Sequence, residues 1–207
     1  MADIVDINNA LVNLIAGIVY PNGTANPSVT GQPILVYQGW PSADALANDF
    51  TANKVHISVF SSGSSKIINI NNGEWWTVST TNGLATIARE TRRQTKQFQV
   101  TIWANCFDAR DPLAKIVDSA LSTISRLAIA DGSVAKIAFT NDLQLDDKQK
   151  FGVYRRDLFY EVEYSTIETT TATPITQVNI NLARKYSDPV IPKVPVSTVG
   201  VNVTVTN

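Results

Sequence analysis

An amphipathic helix is predicted over residues 4–20, because apolar side chains recur there at helical spacing and fall on one stripe. The stripe consists of Ile7, Leu11, Leu14, Ile15 and Ile18. Asp3 or Asp6 is placed to cap the start of this helix, and Pro21-Asn22-Gly23 is placed to end it.

A second helix is predicted over residues 112–129. Asp111 is a suitable N-cap, and Pro112 suits the first helical position because its missing N–H is not needed there. Asp131-Gly132 is expected to end the helix. Its apolar positions are Leu113, Ile116, Val117, Ala120, Leu121, Ile124 and Leu127. We expect Leu121 and Ile124 to be buried.

Apolar and polar residues alternate in other segments, which predicts β-strands. Strands are expected at residues 33–38, 54–60, 97–105, 134–140, 153–168 and 174–182, with a short helix at 43–50 capped by Ser42. In the fifth strand Leu158, Tyr160, Val162 and Tyr164 share one face. Asp157, Phe159, Glu161, Glu163 and Ser165 are expected to lie on a polar outer face.

Residues 65–92 contain three short predicted strands separated by sharp turns. Asn71-Asn72-Gly73 and Asn82-Gly83 mark the turns, because Asn-Gly accepts the positive φ angles of tight hairpins. This segment therefore predicts a projecting β-hairpin. A charged loop is expected at residues 146–150.

The C-terminal residues 183–207 differ in kind from the rest of the chain. Pro189, Pro192 and Pro195 favour an extended spacer, and valine then alternates with Gly, Asn and Thr at Val199, Val201, Val203 and Val205. A strand with one apolar face must pair with another strand, either in its own sheet or on a neighbouring subunit. We favour the neighbouring subunit, and therefore predict a domain at 1–182 followed by an extended arm at 183–207.

The pattern as a whole predicts an α+β fold. It consists of a mostly antiparallel sheet packed against two amphipathic helices, with a projecting β-hairpin and an extended C-terminal arm. Apolar residues make up 44% of the chain and charged residues 17%, against roughly 25% charged in an average domain. A neutral polar surface of this kind is typical of β-rich subunits whose faces are covered by partners. The net charge of −1 gives no global basis for binding nucleic acid.

Residues suited to catalysis are scarce, so we predict no catalytic residue, metal site or cofactor. The chain has one cysteine, Cys106, and one histidine, His56, which we expect to be a surface residue on the polar side of its strand. These exclude a zinc site of the Cys/His type within one chain and an internal disulfide. Glu161 and Glu163 are paired carboxylates on a solvated face, and no phosphate-binding glycine loop is present. The N-terminal helix is interrupted by acidic residues and is not a targeting segment, and no apolar stretch is long enough to span a membrane.

Two further groups of residues are candidates for an interface. Arg89, Arg92, Arg93 and Lys96 form a basic cluster at the junction of two predicted strands, opposed by Glu90. It is either an exposed turn, an ion-pair surface between subunits, or a contact with acidic groups on a partner or with phosphates. Trp75 and Trp76 are adjacent, so on a strand they point to opposite faces. One of them can lie in the core. The other is either exposed or covered by something outside the hairpin, as interface hot spots often are.

Two segments resemble the tail-terminator or tail-completion (neck) proteins of long-tailed bacteriophages. One is RETRRQTKQFQVTIWA (89–104), an Arg-rich turn leading into a strand, with the helix DPLAKIVDSALSTISRL (111–127) after it. The other is the strand YRRDLFYEVEYSTI (154–167). The resemblance implies a virion subunit that forms a homo-oligomeric ring, usually hexameric. Such a ring caps the tail tube, contacts tube or sheath subunits and joins the tail to the head connector. It implies assembly in the host cytoplasm and DNA passing through the ring without sequence-specific binding.

Three alternatives remain open from the sequence. The chain is another tail, collar or baseplate component, a carbohydrate- or receptor-binding β domain with Trp40, Trp75 and Trp76 as stacking residues, or an enzyme of unknown type. The Pro-rich extension is not part of the minimal terminator pattern, which leaves terminator and collar roles both possible.

Overall fold

The computed structural model describes residues 3–69, 76–81, 84–145 and 151–173. The elements are α1 (Ile4–Val19), β1 (Ile34–Gln38), α2 (Ala43–Thr51), β2 (Val55–Asn69), β3 (Trp76–Thr81), β4 (Leu84–Ala104), α3 (Phe107–Thr123), β5 (Arg126–Ala128), β6 (Val134–Leu145) and β7 (Tyr154–Ala172). These seven strands form a sheet in the order β1-β2-β4-β7-β6-β5, with β3 beside β4. The β1–β2 pair is parallel, and the β2–β4, β3–β4, β5–β6 and β6–β7 pairs are antiparallel. The predicted α+β class with a mostly antiparallel sheet is confirmed.

The chain divides into two compact units. The first is Met1–Glu74 with Glu90–Glu168, and the second is Trp75–Arg89 with Thr169–Asn207. In the second unit β3 pairs with the start of β4, from Trp76 opposite Ala88 to Thr81 opposite Leu84. The predicted boundary between a domain at 1–182 and an arm at 183–207 falls outside the described residues. It stays a prediction.

Helix α1 forms where the sequence predicts it, because both its cap and its apolar stripe favour it. Asp3 accepts hydrogen bonds from the backbone N–H groups of Val5 and Asp6, and the Asp6 side chain accepts one from the Asp3 N–H. This reciprocal capping satisfies donors that a helix start leaves free. The residues of α1 that are fully buried against the sheet are Ile7, Leu11, Ile15 and Val19.

Helix α3 starts and ends earlier than predicted, at Phe107 and Thr123. Cys106 is its N-cap without a side-chain hydrogen bond, so the predicted cap at Asp111 is wrong and Pro112 lies inside the helix. An internal proline costs about 3 kcal/mol, which the apolar residues buried around it offset. They are Ala109, Leu113, Ala114, Val117 and Leu121.

The predicted end of this helix was wrong because its apolar period continues into the next strand. Leu121 is buried as expected, whereas Ile124 is half-buried and follows the last helical residue. Leu127 is buried on β5, and a turn at Gly132, with φ of 84°, leads into β6. Tyr160 of β7 joins the helix to the sheet, since its hydroxyl donates to Asp118 Oδ1 at 3.0 Å.

Four strands are longer than the sequence predicted. β2 continues to Asn69, β6 to Leu145 and β7 to Ala172. The largest difference is β4, which has 21 residues and joins the two strands predicted at either side of the Arg-rich segment. The sequence pattern did not predict one continuous strand, because its middle contains the polar residues Gln94 and Thr95. Both are buried in the structure. The predicted alternation in β7 is confirmed on one face: Leu158, Tyr160, Val162 and Tyr164 are all buried.

Several predicted features lie outside the described residues. They are the turns at Asn71-Asn72-Gly73 and Asn82-Gly83, the loop at 146–150, the strand at 174–182 and the arm at 183–207.

Candidate interaction surfaces

The face of the sheet opposite α1 and α3, here called the outer face, is polar. It is buried on β2, β4 and the start of β7, whereas Lys136 of β6 and Glu161 of β7 are exposed. His56, Ser58, Gln99, Thr101 and Asp157 are each at most 6% exposed. The sequence placed His56 and Asp157 in solvent, and both predictions are wrong. Neighbouring side chains and α2 cover these polar side chains. Gln99, Thr101 and Asp157 are linked to one another by hydrogen bonds, whereas Ser58 accepts from Trp103 and His56 bonds to Tyr37 through Nδ1.

His56 lies under α2 and contacts groups from two elements. Its Nδ1 is 2.9 Å from the Tyr37 hydroxyl of β1, and its Nε2 is 3.1 Å from Asp49 Oδ2 of α2, without good hydrogen-bond alignment. Asp49 also accepts from Lys54 Nζ at 2.8 Å. The side chain of Phe50 meets the imidazole edge-on, with 6.2 Å between ring centroids.

Burial governs the protonation of this cluster. Burial lowers the pKa of His56 below its usual value, and the Asp49 carboxylate opposes that shift. Burial and the nearby Asp49 charge raise the pKa of Tyr37 to about 12. The hydrogen bond from Lys54 lowers the pKa of Asp49. A neutral imidazole under a covering helix is a structural contact that holds α2 on the sheet.

A second cluster on the outer face is built around Arg155 of β7. Its guanidinium donates to both oxygens of Asp157, at 2.8 and 2.7 Å, and Asp157 also accepts from the Thr101 hydroxyl at 2.8 Å. The same guanidinium stacks 4.6 Å from the ring centroid of Trp40 and 4.8 Å from that of Trp103. The Trp103 indole N–H donates to Ser58 Oγ at 3.0 Å.

Trp40 is the exposed end of this cluster. Its side chain packs against Phe60 at 4.7 Å between ring centroids and is still 52% exposed. The sequence singled out Trp40 as a possible stacking residue and Arg155 as part of a basic pair with Arg156, but it gave no sign that Arg155 meets Trp40 and Trp103. Two aromatic residues 63 positions apart and an arginine far from both come together only through the pairing of β2, β4 and β7. The alternation of apolar and polar residues along one strand does not predict which other strands lie beside it.

The Arg-rich segment of β4 is not a free basic turn. Arg93 Nε and Nη2 donate to the Glu90 carboxylate at 2.8 and 2.9 Å, and Glu163 lies 3.8 Å from the same guanidinium. Lys96 is buried, and its Nζ donates to the carbonyl oxygen of Gly63 at 2.7 Å. Arg92 is exposed, whereas Arg89 is half-buried. The predicted cluster therefore divides: Lys96 is buried, Arg93 is exposed but pairs with Glu90, and Arg92 is exposed with no ion pair to any described residue.

Strand β3 presents the other predicted interface residues. All six of its residues are exposed, including Trp76 at 43% and Val78 at 58%. Leu84, opposite Thr81 on the paired strand, is also exposed. Trp75 lies outside the described residues, as do the arm residues Val199, Val201, Val203 and Val205. Their predicted roles stay predictions.

Apolar grooves mark the helix-covered side of the first unit. One groove of about 620 Å³ lies between α1 and the segment at β5, with Ala10 and Leu14 on one wall and Ile124, Leu127 and Ile129 on the other. A shallower depression of about 710 Å³ follows the outward side of α3 and includes Ile116 and Ala120. The sequence did not predict either groove, because each joins residues from separate elements.

The outer face carries a depression of about 530 Å³ with mixed charge. Glu161 and Glu163 of β7 line it together with Lys66 of β2 and Lys136 of β6. His56 lines none of these three depressions. Within the described part of the chain, no three His, Cys, Asp or Glu side chains are placed to hold a metal ion. None of the described helices is long and apolar enough to cross a membrane.

No known protein family matches the sequence, and no curated protein matches it. Several solved structures are similar to this chain, and two of them are described here. One comes from the virion of a native gene transfer agent particle, with 14% identity and a TM-score of 0.45 over 80% of this chain and 100% of that one. The other is a sheath/tube terminator of an extracellular contractile injection system in its extended state. Its identity is 16% and its TM-score 0.48, over 90% of this chain and 65% of that one. Both TM-scores are below 0.5, so the function proposed below rests on this chain's own residues.

Proposed function

We propose that the chain is a structural virion subunit of a tailed phage, which forms a terminator or neck ring that caps the tail tube. The observation that supports this best is strand β3, whose six residues are all exposed. Large apolar residues such as Trp76 and Val78 are unfavourable on a strand that stays exposed to water, because exposed apolar strands tend to pair with other chains and aggregate. A partner subunit that covers this hairpin accounts for them.

A closed ring needs two different surfaces on each subunit, because each copy contacts the next one head to tail. The chain offers such surfaces. The β3–β4 hairpin presents exposed Trp76, Val78 and Leu84, whereas α1, α3 and β5 border apolar grooves. These surfaces are unlike one another, which favours a cyclic arrangement over a two-fold dimer. We propose six-fold order, as the resemblance of the sequence to tail terminators implies.

The expected partners are tail tube or sheath subunits on one side of the ring and the head connector on the other. DNA would pass through the ring without base recognition. The charges support this view, because Arg93 is neutralised by Glu90 and Lys96 is buried, so the Arg-rich segment offers no continuous track for phosphates. The subunit would assemble in the host cytoplasm and remain in the virion.

Electron microscopy and light scattering of the purified protein test this proposal. The native chain should form rings, alone at high concentration or with tail tube subunits. The double variant Trp76→Ser/Val78→Ser should stay folded but lose rings, since exposed side chains contribute little to stability. The matched variant Thr77→Ser/Thr80→Ser on the same strand should assemble normally. A native protein that is monomeric under all these conditions would disprove the proposal.

A further inference from the structure

The two edges of the sheet differ in how their backbone groups are used. At the β5 edge, the Ser125 carbonyl accepts from the Ile137 N–H, and the Ile129 N–H donates to the Ser133 carbonyl. Antiparallel strands alternate, so Ser125, Leu127 and Ile129 direct their backbone groups toward β6. Arg126 and Ala128 consequently direct theirs away from the sheet, and no described residue bonds to them.

At the β1 edge, some of the backbone groups that point away from the sheet already have a hydrogen-bond partner. Pro33 and Gly39 bond to β2, so the alternate residues Ile34, Val36 and Gln38 direct their backbone groups outward. The Tyr20 hydroxyl accepts from the Ile34 N–H at 2.7 Å and donates to the Ile34 carbonyl at 3.0 Å. A strand could not add at this position without displacing Tyr20. β5 is therefore the more open edge.

The open edge lies beside the apolar groove between α1 and β5. Leu127 and Ile129 are buried on the side of β5 that faces this groove. Ala10 and Leu14 form the apolar part of its opposite wall, which also includes the polar residues Asp6, Asn9 and Asn13 of α1. An added strand that alternates apolar and polar residues would place its apolar side chains in the groove. Its polar side chains would lie beside the exposed Arg126 and Ala128.

The chain contains one segment with this pattern. Val199, Val201, Val203 and Val205 alternate with Gly200, Asn202 and Thr204. The described part of the chain stops at Thr173, and residues 174–198 precede the valines. At roughly 3 Å per extended residue, that connection can span up to about 75 Å, which is enough to reach a neighbouring copy.

We propose that residues 199–205 of one copy bind as an added strand along β5 of a second copy, with their valines in the groove between α1 and β5. The strand would bond to the outward backbone groups of Arg126 and Ala128. The four valines would complete the apolar surface that the groove leaves open. This inference rests on the proposed homo-oligomer and names the contact that would lock one subunit to the next.

Disulfide cross-linking between two co-expressed chains tests the contact directly. In a Cys106→Ala background, one chain carries Ala128→Cys and the other carries Asn202→Cys or Thr204→Cys, with different tags. These side chains avoid the valine face, and cross-strand cysteines fall within disulfide range. We expect a covalent dimer under mild oxidation with at least one of the two arm positions. Leu35→Cys at the β1 edge, paired with the same arm variants, is the matched control and should not cross-link.

A second pair of substitutions tests the apolar face. Val203→Asp should reduce the cross-link yield by about tenfold or more, because a carboxylate would enter the groove, whereas Thr204→Asp with the Asn202→Cys pair should not. Oligomers without any cross-link between the arm and Ala128 would overturn this inference and leave the ring proposal standing. Cross-links found only within a single chain carrying both cysteines would also overturn it. A protein that never forms oligomers would instead refute the proposed ring, and this contact with it.

Discussion

Both faces of the sheet bury side chains where β2, β4 and β7 meet, but different interactions hold the two faces. The face under α1 and α3 is apolar, with Val100, Leu158 and Tyr160 among its fully buried residues. The outer face buries polar groups instead, among them Thr101 and Asp157, which hydrogen-bond to each other. The comparison teaches that alternation identifies the face that helices cover. It does not say whether the other face is in water.

The largest effect is expected on the helix-covered face. Leu121→Ala should lower the free energy of unfolding by about 2–5 kcal/mol, because it leaves a cavity in the core. Chemical denaturation of the variant measures this. Lys115→Ala, on the exposed side of the same helix, should change stability by no more than about 0.5 kcal/mol. A near-neutral Leu121→Ala would mean that this face of α3 is not packed as described.

Substitutions on the outer face should lower the free energy of unfolding less than Leu121→Ala does. They should still lower it more than the same substitutions at an exposed site. Asp157→Asn weakens the buried hydrogen bonds from Arg155 and Thr101, and should cost about 1.5–3 kcal/mol. Asp142→Asn is the matched control, because Asp142 pairs with Arg156 in an exposed position and should cost at most about 1 kcal/mol. Equal effects from the two substitutions would show that the outer face is solvated after all.

The His56 cluster makes the outer face sensitive to pH. The pKa of His56 is lowered in the folded protein, so the unfolded chain binds more protons as the pH falls below about 6.5. Stability should be full above that pH and decline as the pH drops from there toward the folded pKa. Asp49 has a lowered pKa too, but an ordinary value of 3.8 places its contribution in a more acidic range. His56→Gln should flatten the dependence of melting temperature on pH between 7 and 5. An unchanged slope would contradict the assignment.

The smallest effects are expected in the Arg-rich segment of β4. Arg93→Ala removes two hydrogen bonds to Glu90 at an exposed site and should cost about 0.2–1 kcal/mol. Arg92→Ala should leave stability unchanged, since no described residue forms an ion pair with Arg92. Thermal melts of both variants at low and high salt compare them. A larger loss of stability in Arg92→Ala than in Arg93→Ala would mean that Arg92, and not Arg93, stabilises the fold.

Local signals in the sequence were sufficient for much of the fold. The caps at Asp3 and Ser42, the stripe of α1 and the alternation of β7 depend on neighbouring residues, and all are present. The bounds of α3 and β4 depend on tertiary contacts. Burial around Pro112 outweighs its signal to start a helix, and pairing with β2 carries β4 through a run of polar residues.

The candidate surfaces were less predictable for the same reason. Trp76 is exposed, and its place in an interface stays a prediction. The Arg155 cluster and the groove beside β5 each join residues that are distant along the chain. The periodicity of one segment does not predict contacts between residues of distant segments. The internal partners of the basic cluster were also hidden from the sequence, because Glu163 and Gly63 lie far along the chain from Arg93 and Lys96. The role of the cluster at an interface stays a prediction.

The hydroxyl of Tyr20 has a consequence for synthesis of the protein. Tyr20 and Ile34 are only 14 residues apart, so their contact closes a short loop and can form soon after both leave the ribosome. β2, β4 and β7 emerge later, and until then a nascent β1 is exposed to other unfinished chains. If the Tyr20 hydroxyl is already bonded to the outer edge of β1, other chains are less able to pair with β1 before the rest of the sheet is made. Partly made sheets are most prone to aggregate during that time.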